Sequence, residues 1–311
     1  MTSDNSQRTA VVLMAYGTPR SKEEILPYYT DIRRGRPPTD EQLQDLTNRY
    51  EAIGGLSPLK QLTEDQRDAL QNELNGISPN QFQVFLGLKH ASPFIEETVA
   101  EVVELGYKKI VGLVLAPHYS SYSIGQYMDR VRAVAEPAGI TVSGIDSWAR
   151  EEAFIDFLAN DMREKLASLP ERTKVLFTAH SLPQRIIDGG DPYPEELRAT
   201  AELVAEKVGL TRWSDWSIAW QSAGRTPEPW IGPDILEVID SFAAQSASDE
   251  PIDGVLVSAC GFVADHLEVL FDLDIEASKH AESHGIAFAR TACVNSNASV
   301  MAALARSVAA L

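Results

Sequence analysis

VVLMAYGTP (residues 11–19) and VLFTAHSLP (residues 175–183) are the two stretches that decide the fold of this chain. Each is an apolar run that ends in Ala and continues with an aromatic or imidazole side chain, a small residue, one further residue and Pro. Continuous apolar runs predict strands that are buried on both faces, and the proline cannot continue the strand. An ungapped alignment places Tyr16 and His180 at equivalent positions, just past the C-terminal end of a strand.

Further apolar runs alternate with amphipathic stretches, which is typical of an α/β protein with parallel sheets. LVLAPHY at 113–119 and LVSACGF at 256–262 form a second similar pair, each a strand that runs into a loop. We therefore predict two similar Rossmann-like halves, residues 1–148 and 149–311, each a parallel sheet flanked by helices. Ligands bind outside the carboxyl ends of strands in such sheets, so the four loops after these strands are candidate sites.

The same patterns predict the individual elements. Ser21 and Glu24 have the spacing of a capping box at the start of the first helix, and Ser123 is a plausible N-cap of a later one. The predicted strands are 9–15, 82–88, 109–116, 140–145, 174–179, 216–220 and 254–259, and the further helices are 60–75, 92–106, 123–136, 150–167, 194–208 and 233–246.

Length and composition predict a soluble cytoplasmic protein. The 311 residues are 44% hydrophobic, but no apolar run approaches the roughly 20 residues that span a bilayer. The first ten residues lack the basic and apolar regions of a secretory signal. Two cysteines, Cys260 and Cys293, fit a reduced compartment and are too few for an iron–sulfur cluster held by four thiolates.

The net charge of −18 argues against general nucleic-acid binding, which needs a basic face. Residues 1–60 contain eight Lys and Arg and eight Asp and Glu, so the excess negative charge lies after Lys60. Within the balanced segment, the basic side chains either form a local patch for an anionic ligand or lie on a solvated helix end. The candidates are Arg33, Arg34, Arg36 and Arg49.

Two segments carry side chains suited to proton transfer or metal binding. His180 lies where a strand ends, and its imidazole can accept a proton or bind a metal near neutral pH; a structural role is the alternative. Glu268, Asp272 and Glu276 follow at i, i+4 and i+8, and Asp265 begins the same row one turn earlier, so on a helix they form one acidic row among apolar neighbours. Because such like charges repel, the row favours a cation or a proton load over a plain solvent-facing stripe.

The loop WQSAGRTPEPWIGPD (220–234) is too rich in Pro and Gly for a regular element. Its Trp220 and Trp230 either wall a flat aromatic ligand or pack in the core. The chain contains no Walker A, GxGxxG, GxSxG or HExxH sequence, which excludes the standard phosphate, dinucleotide, esterase and zincin motifs.

Taken together, these segments resemble the ferrochelatase family, and most closely its Gram-positive branch, which acts on coproporphyrin III. The similar segments follow the family's order and cover nearly the whole chain. They are MAYGTP (14–19), YYTDIRRGRPP (28–38), RYEAIGGLSPL (49–59), GLKH (87–90), VLAPHYSSYS (114–123), AHSLP (179–183), GDPYP (190–194), the 220–234 loop and GFVADHLEVLFD (261–272).

The resemblance implies site residues as well as a fold with a porphyrin cleft between the halves. The His of AHSLP is His180 and the Glu of ADHLEVL is Glu268; in the family these catalytic, metal-facing groups lie on one side of the macrocycle. Asp272 and Glu276 continue the acidic row away from them. Tyr16 corresponds to a Tyr that can approach the iron from the opposite face. Family contacts to the porphyrin and its propionates correspond to Arg33, Arg49, Tyr50, Ser57 and Tyr127.

We therefore expect a cytoplasmic, monomeric enzyme that inserts Fe²⁺ into coproporphyrin III and passes the resulting coproheme to a downstream coproheme decarboxylase. The resemblance implies Fe²⁺ as a substrate, no permanently bound cofactor and no iron–sulfur cluster. Three alternatives stay open: a protoporphyrin IX ferrochelatase, a chelatase that inserts cobalt into another tetrapyrrole, and a non-catalytic tetrapyrrole carrier. Which of His180 and Glu268 is the base and which the metal ligand also stays open.

Overall fold

The structure, a computed structural model, describes residues 5–211, 214–224, 226–245 and 251–311. The chain divides into two compact units. Within the described part, no helix is both long and apolar enough to cross a membrane. Unit 1 comprises Met1–Ala116, Ser121–Ser147 and Asn295–Leu311, and unit 2 comprises Pro117–Ser120 and Trp148–Val294.

Unit 1 is built on a four-stranded parallel sheet with the strand order β2-β1-β3-β4. All seven residues of β1 are buried; since successive side chains point to opposite faces, both faces of the strand are covered. The strands are β1 (Thr9–Ala15), β2 (Phe82–Leu88), β3 (Lys109–Val114) and β4 (Thr141–Ile145), and the helices are α1 (Ile25–Ile32), α2 (Asp40–Ala52), α3 (Leu59–Ile77), α4 (Ile95–Glu104), α5 (Gln126–Ala135) and α12 (Ala298–Ala309).

Unit 2 repeats this plan with a four-stranded parallel sheet in the order β6-β5-β7-β8. Its central strand β5 is buried from Val175 to Ala179 and becomes partly exposed again at its last residue, His180. The strands are β5 (Thr173–His180), β6 (Trp216–Gln221), β7 (Gly254–Ser258) and β8 (Ala287–Arg290), and the helices are α6 (Glu152–Leu166), α7 (Gln184–Asp188), α8 (Tyr193–Val208), α9 (Ile235–Ala244), α10 (Leu267–Leu270) and α11 (Ser278–Ser283).

The two sheets have the same strand order, so β1, β2, β3 and β4 are equivalent to β5, β6, β7 and β8. The predicted fold of two similar α/β halves with parallel sheets is confirmed. The equivalence also matches the aligned sequences, since Tyr16 follows β1 and His180 ends β5. Likewise, LVLAPHY begins in β3 and LVSACGF begins in β7.

All seven predicted strands are present, with ends that differ by at most two residues. β8 was not predicted, because AFAR is only four residues long and all four are half-buried, which leaves no continuous apolar run. The sequence patterns also left out α2, α7 and α12. Helix α12 packs against α3 of unit 1, although the predicted boundary places it in the second half.

Two predicted side-chain caps were wrong. The Ser21 side chain makes no capping hydrogen bond; the Glu24 carboxylate instead accepts from the backbone N–H and the guanidinium of Arg20, at 2.8 Å each. Ser123 is not an N-cap either, because it lies inside a π-helical turn, Ser121–Gly125, and α5 begins after Gly125 without a side-chain cap. Neither serine therefore has the capping role that its spacing suggested.

Candidate active site

The predicted residue His180 lies at the carboxyl edge of the unit 2 sheet. Its Nε2 atom is 3.7 Å from the Glu268 carboxylate, and both side chains are 35% exposed. Glu268 comes from α10, which follows the loop after β7. The structure therefore brings together two residues that are 88 positions apart, at the edge where parallel sheets present their ligands.

A second imidazole flanks the same carboxylate. His266 Nε2 lies 3.6 Å from the other Glu268 oxygen. The Nδ1 atom of each histidine contacts a backbone carbonyl, Ser181 O for His180 and Ala264 O, at 3.0 Å, for His266. Because a carbonyl oxygen only accepts hydrogen bonds, each Nδ1 carries a proton, and each ring turns its Nε2 atom toward Glu268. A proton or a cation at this point would therefore face one carboxylate and two imidazole nitrogens.

Neighbouring groups hold this arrangement in place. Gln221, the last residue of β6 and the register partner of His180, donates from Nε2 to the Glu268 backbone carbonyl at 3.1 Å. The Tyr193 hydroxyl donates to the His180 carbonyl at 3.2 Å. Trp230 lies beside the imidazole, with ring centroids 6.2 Å apart. Trp220, which was predicted in the same loop, lies in β6 and is buried in the core, with its ring centroid 5.6 Å from that of Tyr193.

The predicted acidic row has a different geometry from a regular α-helix. After α10 the chain forms a π-helix, Asp272–Ala277, in which Glu276 N–H bonds to the Phe271 carbonyl five residues back at 2.9 Å. The carboxylates of the row lie in different environments, since Asp272 is 6% exposed while Glu276 is exposed. The Ser222 hydroxyl donates to the Asp272 carboxylate, from a residue with φ of 59°. A buried carboxylate with a hydroxyl donor thus lies one turn beyond Glu268.

Asp265 does not belong to the row. It precedes α10 and forms an ion pair with Arg290 at 2.9 Å, and the same guanidinium binds Asp274 at 2.6 Å. The row prediction was wrong here because Asp265 lies in the loop before the helix, where helical spacing does not apply. Its carboxylate anchors the loop to β8 instead.

The loop after β7 passes very close to β5. A Cβ atom on Gly261 would lie 2.6 Å from the Ala179 Cα, so only glycine fits there. Its N–H donates to the Thr178 carbonyl at 3.0 Å, which fixes the path of the chain toward Glu268. The neighbouring Cys260 is fully buried, and burial raises the pKa of its thiol to about 12. This thiol is therefore protonated at neutral pH and packs as an apolar group.

In unit 1, Tyr16 lies just beyond β1 with 42% of its surface exposed. Its ring packs against His90, with centroids 4.6 Å apart and planes tilted by 59°. His90 Nδ1 in turn binds the Asp31 carboxylate at 2.7 Å. Burial lowers the pKa of His90, while the Asp31 hydrogen bond opposes that shift. The phenol therefore lies against an imidazole that a carboxylate holds in one orientation.

The four arginines predicted from charge lie in two places. Arg33, Arg34 and Arg36 form the turn after α1, in which the Arg33 guanidinium donates to the Arg36 carbonyl at 3.3 Å and Arg34 has φ of 58°. Arg49 is on α2 and pairs with Asp45 at 3.3 Å. Arg33 also lies over the Tyr29 ring, 5.6 Å from its centroid. Their roles in anion binding stay predictions.

The other predicted contacts to the porphyrin are buried. Tyr50, Ser57 and Tyr127 are each less than a tenth exposed. The Ser57 hydroxyl accepts from the Leu59 N–H at 3.2 Å at the start of α3. Lys89 lies over the Tyr127 ring at 5.0 Å, and burial, with help from neighbouring guanidinium groups, lowers the pKa of this lysine to about 8. Their roles as substrate contacts stay predictions.

Several site residues were missed as individual candidates: His90, Asp31, Gln221 and Ser222. Gln221 ends β6 as the register partner of His180, and His90 lies two residues beyond β2, where its N–H bonds to the Tyr16 carbonyl at 3.0 Å. The ends of both strands were predicted, so the rule that neighbouring strand ends converge could have found these two. Asp31 lies 59 residues before His90 and gives no local signal.

Solved structures with this fold define the class of protein. SirB from Bacillus subtilis, solved with Fe³⁺, matches with a TM-score of 0.56 and 13% identity, over 97% of this chain and 94% of that one. CbiX, described as the terminal enzyme of sirohaem biosynthesis in denitrifying bacteria, matches with a TM-score of 0.53 and 13% identity, over 97% and 98%. The chain thus has the chelatase-type fold, a pair of parallel α/β units.

Sequence similarity then gives the family. The ferrochelatase family model matches residues 8–310. The chain is 43% identical over 305 residues to the coproporphyrin III ferrochelatase of Geobacillus sp. (strain WCH70), and 41% identical over 305 residues to that of Bacillus subtilis (strain 168), with 96% of each chain covered in both cases. It is also 42% identical to the ferrochelatase of Herpetosiphon aurantiacus, over 93% of this chain and 94% of the relative. This chain belongs to the ferrochelatase family.

Proposed function

We propose that this chain is a coproporphyrin III ferrochelatase, which inserts Fe²⁺ into coproporphyrin III to form coproheme in haem biosynthesis. The observation that carries the proposal is the Glu268 carboxylate held between the Nε2 atoms of His180 and His266. Relatives that are 40–43% identical over nearly the whole chain carry this name. Insertion requires loss of two pyrrole N–H protons and removal of water from the metal. This cluster offers side chains that can accept the protons and replace water on the metal.

We assign the first proton to His180. Its Nε2 atom faces Glu268 at 3.7 Å, while Nδ1 is occupied at the Ser181 carbonyl. Glu268 stabilises the imidazolium that forms and is the partner through which Fe²⁺ or the proton passes. Both groups are able to act as ligand or base, so each proton that leaves a pyrrole nitrogen has an acceptor.

The acidic segment beyond Glu268 then serves proton or metal transfer. Asp272 is buried and receives a hydrogen bond from Ser222, while Glu276 is exposed. A carboxylate series that runs from a buried to an exposed position offers successive sites for a cation or a proton. We propose that Asp272 and Glu276 connect the base cluster to solvent.

Unit 1 contributes contacts to the tetrapyrrole. We propose that Tyr16 contacts the macrocycle and ligates the iron of the product, because its phenol is exposed at a strand end. Arg33 and Arg49 pair with propionates, since planar guanidinium forks match carboxylates. Tyr50, Ser57 and Tyr127 are the further proposed contacts. We also propose that the enzyme acts as a cytoplasmic monomer without a resident cofactor and hands coproheme to a decarboxylase.

The test compares turnover of two porphyrins and two metals. Coproporphyrin III carries four propionates and protoporphyrin IX two, and each lost carboxylate contact costs about 1 kcal/mol. We expect kcat/KM with Fe²⁺ to be at least about tenfold higher for coproporphyrin III, and Fe²⁺ to be preferred over Co²⁺ in competition. Equal or better turnover of protoporphyrin IX would overturn the substrate assignment. Tight porphyrin binding without any metal insertion would indicate a carrier.

A further inference from the structure

A second cluster of metal-ligating side chains lies on the surface of unit 2. His280 Nε2 is 2.7 Å and His284 Nε2 is 3.0 Å from the same oxygen of Asp240. The two imidazole rings have centroids 5.0 Å apart and nearly perpendicular planes. All three ligand atoms lie within 4.8 Å of one another. The cluster therefore joins two nitrogen ligands and one oxygen ligand at one point.

The backbone that carries these side chains is fixed by a shared core. Asp240 is on α9, next to the buried Val238 and Ile239, and these pack in one cluster with Ala277 and Ala281. The small alanines on the inner face of the 277–281 segment let α9 approach closely. The three ligands are therefore held by packing on elements that stay folded whether or not an ion is bound.

The positions of the two histidines also allow both to bind the same metal ion. His280 and His284 are four residues apart, and side chains at i and i+4 lie on one face of a helix. Helix α11 ends at Ser283, and His284 is its C-cap. The His284 N–H bonds to the Ala281 carbonyl at 3.0 Å, and the next residue, Gly285, has φ of 73°. The end of α11 thus holds His284 in the same direction as His280.

This ligand set has a definite chemical preference. Two imidazoles and one carboxylate, with open positions for water, suit divalent first-row transition metals rather than Mg²⁺ or Ca²⁺, which prefer oxygen ligands. Metal bonds of about 2.0–2.2 Å place neighbouring ligand atoms roughly 3 Å apart. The two nitrogen–oxygen separations of 2.7 and 3.0 Å are close to that spacing, and the two nitrogens lie within 4.8 Å of each other. A bound ion would take the place of the protons that these atoms now share.

We propose that Asp240, His280 and His284 form a binding site for a divalent transition-metal ion, separate from the His180–Glu268 cluster. Its ligands come from α9 and the end of α11, whereas His180 ends β5 and Glu268 lies on α10. The site goes beyond the proposed function and does not depend on it. Helix α11 directly follows the π-helix that carries Asp272 and Glu276.

The test measures Zn²⁺ binding in a background that lacks the other cluster. Metal-stripped H180A/E268Q protein is titrated with Zn²⁺ by calorimetry, and then compared with the same protein carrying H280A/H284A, D240N or, as matched control, K279A. We expect H280A/H284A to lose one equivalent of Zn²⁺ and D240N to weaken that equivalent at least about tenfold, the effect of one lost ligand of about 1.4 kcal/mol. K279A, on the same helix, keeps it.

A stability readout completes the test. Binding to the folded state alone raises the midpoint of thermal unfolding, so Zn²⁺ should raise it in the background protein and in K279A but not in H280A/H284A. With EDTA, all variants should unfold at similar temperatures, because the exchanged side chains are partly or fully exposed. If the double variant is unstable, D240N provides the same comparison with the background protein. Equal Zn²⁺ stoichiometry and affinity in all four proteins would overturn the proposal and leave only hydrogen bonds between the helices.

Discussion

The carboxyl edges of the two sheets use equivalent positions for different chemistry. In unit 1, the side chain after β1 is Tyr16, and its imidazole neighbour His90 is bound tightly to Asp31 at 2.7 Å. In unit 2, His180 ends β5, and Glu268 lies 3.6–3.7 Å from two imidazoles, beyond hydrogen-bond length. The first arrangement fixes an orientation, whereas the second brings two imidazole nitrogens and one carboxylate to one place.

The difference comes from the segments that follow the strands. In unit 2, the loop after β7 passes β5 at Gly261 and continues into the α10 and π-helical turns that carry Glu268 and Asp272. At the aligned position after β3 stands His118. A repeated sheet therefore provides equivalent strand ends, and the connecting loops decide which side chains meet there.

The greatest loss of activity is expected when His180 is replaced. His180→Ala removes the proposed proton acceptor and should lower kcat for iron insertion by roughly 10²–10⁴-fold, the usual contribution of a general base. His90→Ala, the matched change in unit 1, should cost less than about tenfold, because His90 only positions Tyr16. Anaerobic turnover with coproporphyrin III measures both. Near-normal turnover of the His180 variant would show that the two edges do not differ in this way.

The next effect concerns His118, which aligns with Gly261 and follows β3 but belongs to unit 2. Thr200 donates to the Ala149 carbonyl at 2.6 Å, so it accepts from His118 Nε2 at 2.9 Å. The buried His118 Nδ1 has no hydrogen-bond partner among the described residues. Burial lowers the pKa of His118 from 6.5 to about 3. The neutral ring thus fits the fold, and a second N–H would be buried without an acceptor.

This pKa sets the sign of an acid effect. Below pH 6.5 the unfolded state binds a proton that the folded state does not bind until about pH 3. The free energy of unfolding therefore decreases as the pH is lowered from 6.5 to 3. We expect a loss of about 3 kcal/mol between pH 7 and pH 4 from this group. His118→Gln keeps a donor for Thr200 but does not titrate. Its free energy of unfolding in urea should therefore depend less on pH between pH 7 and pH 4 than that of the unchanged protein. An unchanged profile would mean that His118 is not the source.

A smaller effect is expected at Tyr16. Tyr16→Phe keeps the ring against His90 and removes only the hydroxyl, so kcat should change by less than about tenfold. The absorption spectrum of the coproheme complex should shift, because the proposed axial oxygen is lost. His90→Ala is the control for ring position alone. An identical spectrum in Tyr16→Phe would rule out ligation by the phenol.

Sequence patterns predicted the parts of the molecule that depend on local periodicity. The buried strands were clear because apolar runs such as 9–15 and 174–179 are continuous. The equivalence of Tyr16 and His180 followed from alignment, and the resemblance to ferrochelatases then indicated Glu268. β8 was missed because a four-residue strand leaves no periodic signal. The packing of α12 against α3 was missed because a contact between distant helices leaves no such signal either.

The details of the site were harder to predict. A π-helix differs from an α-helix by about one residue per turn, and the spacing of Asp272 and Glu276 suggested a regular row. The pairing of Asp31 with His90 and of Ser222 with Asp272 depends on loops from distant parts of the chain. Polar side chains of this kind are placed by tertiary structure, so a single sequence does not reveal their partners.

The catalytic role of the Glu268 cluster is tested most directly by iron insertion into coproporphyrin III in Glu268→Gln, with Asp31→Asn as its counterpart in unit 1. Each change removes one carboxylate charge and keeps the shape of the side chain. We predict that Glu268→Gln still binds the porphyrin but loses roughly 10²-fold or more in kcat, while Asp31→Asn loses less than about tenfold. Full turnover by Glu268→Gln, or an equal loss in both variants, would contradict the assignment of proton and metal transfer to unit 2.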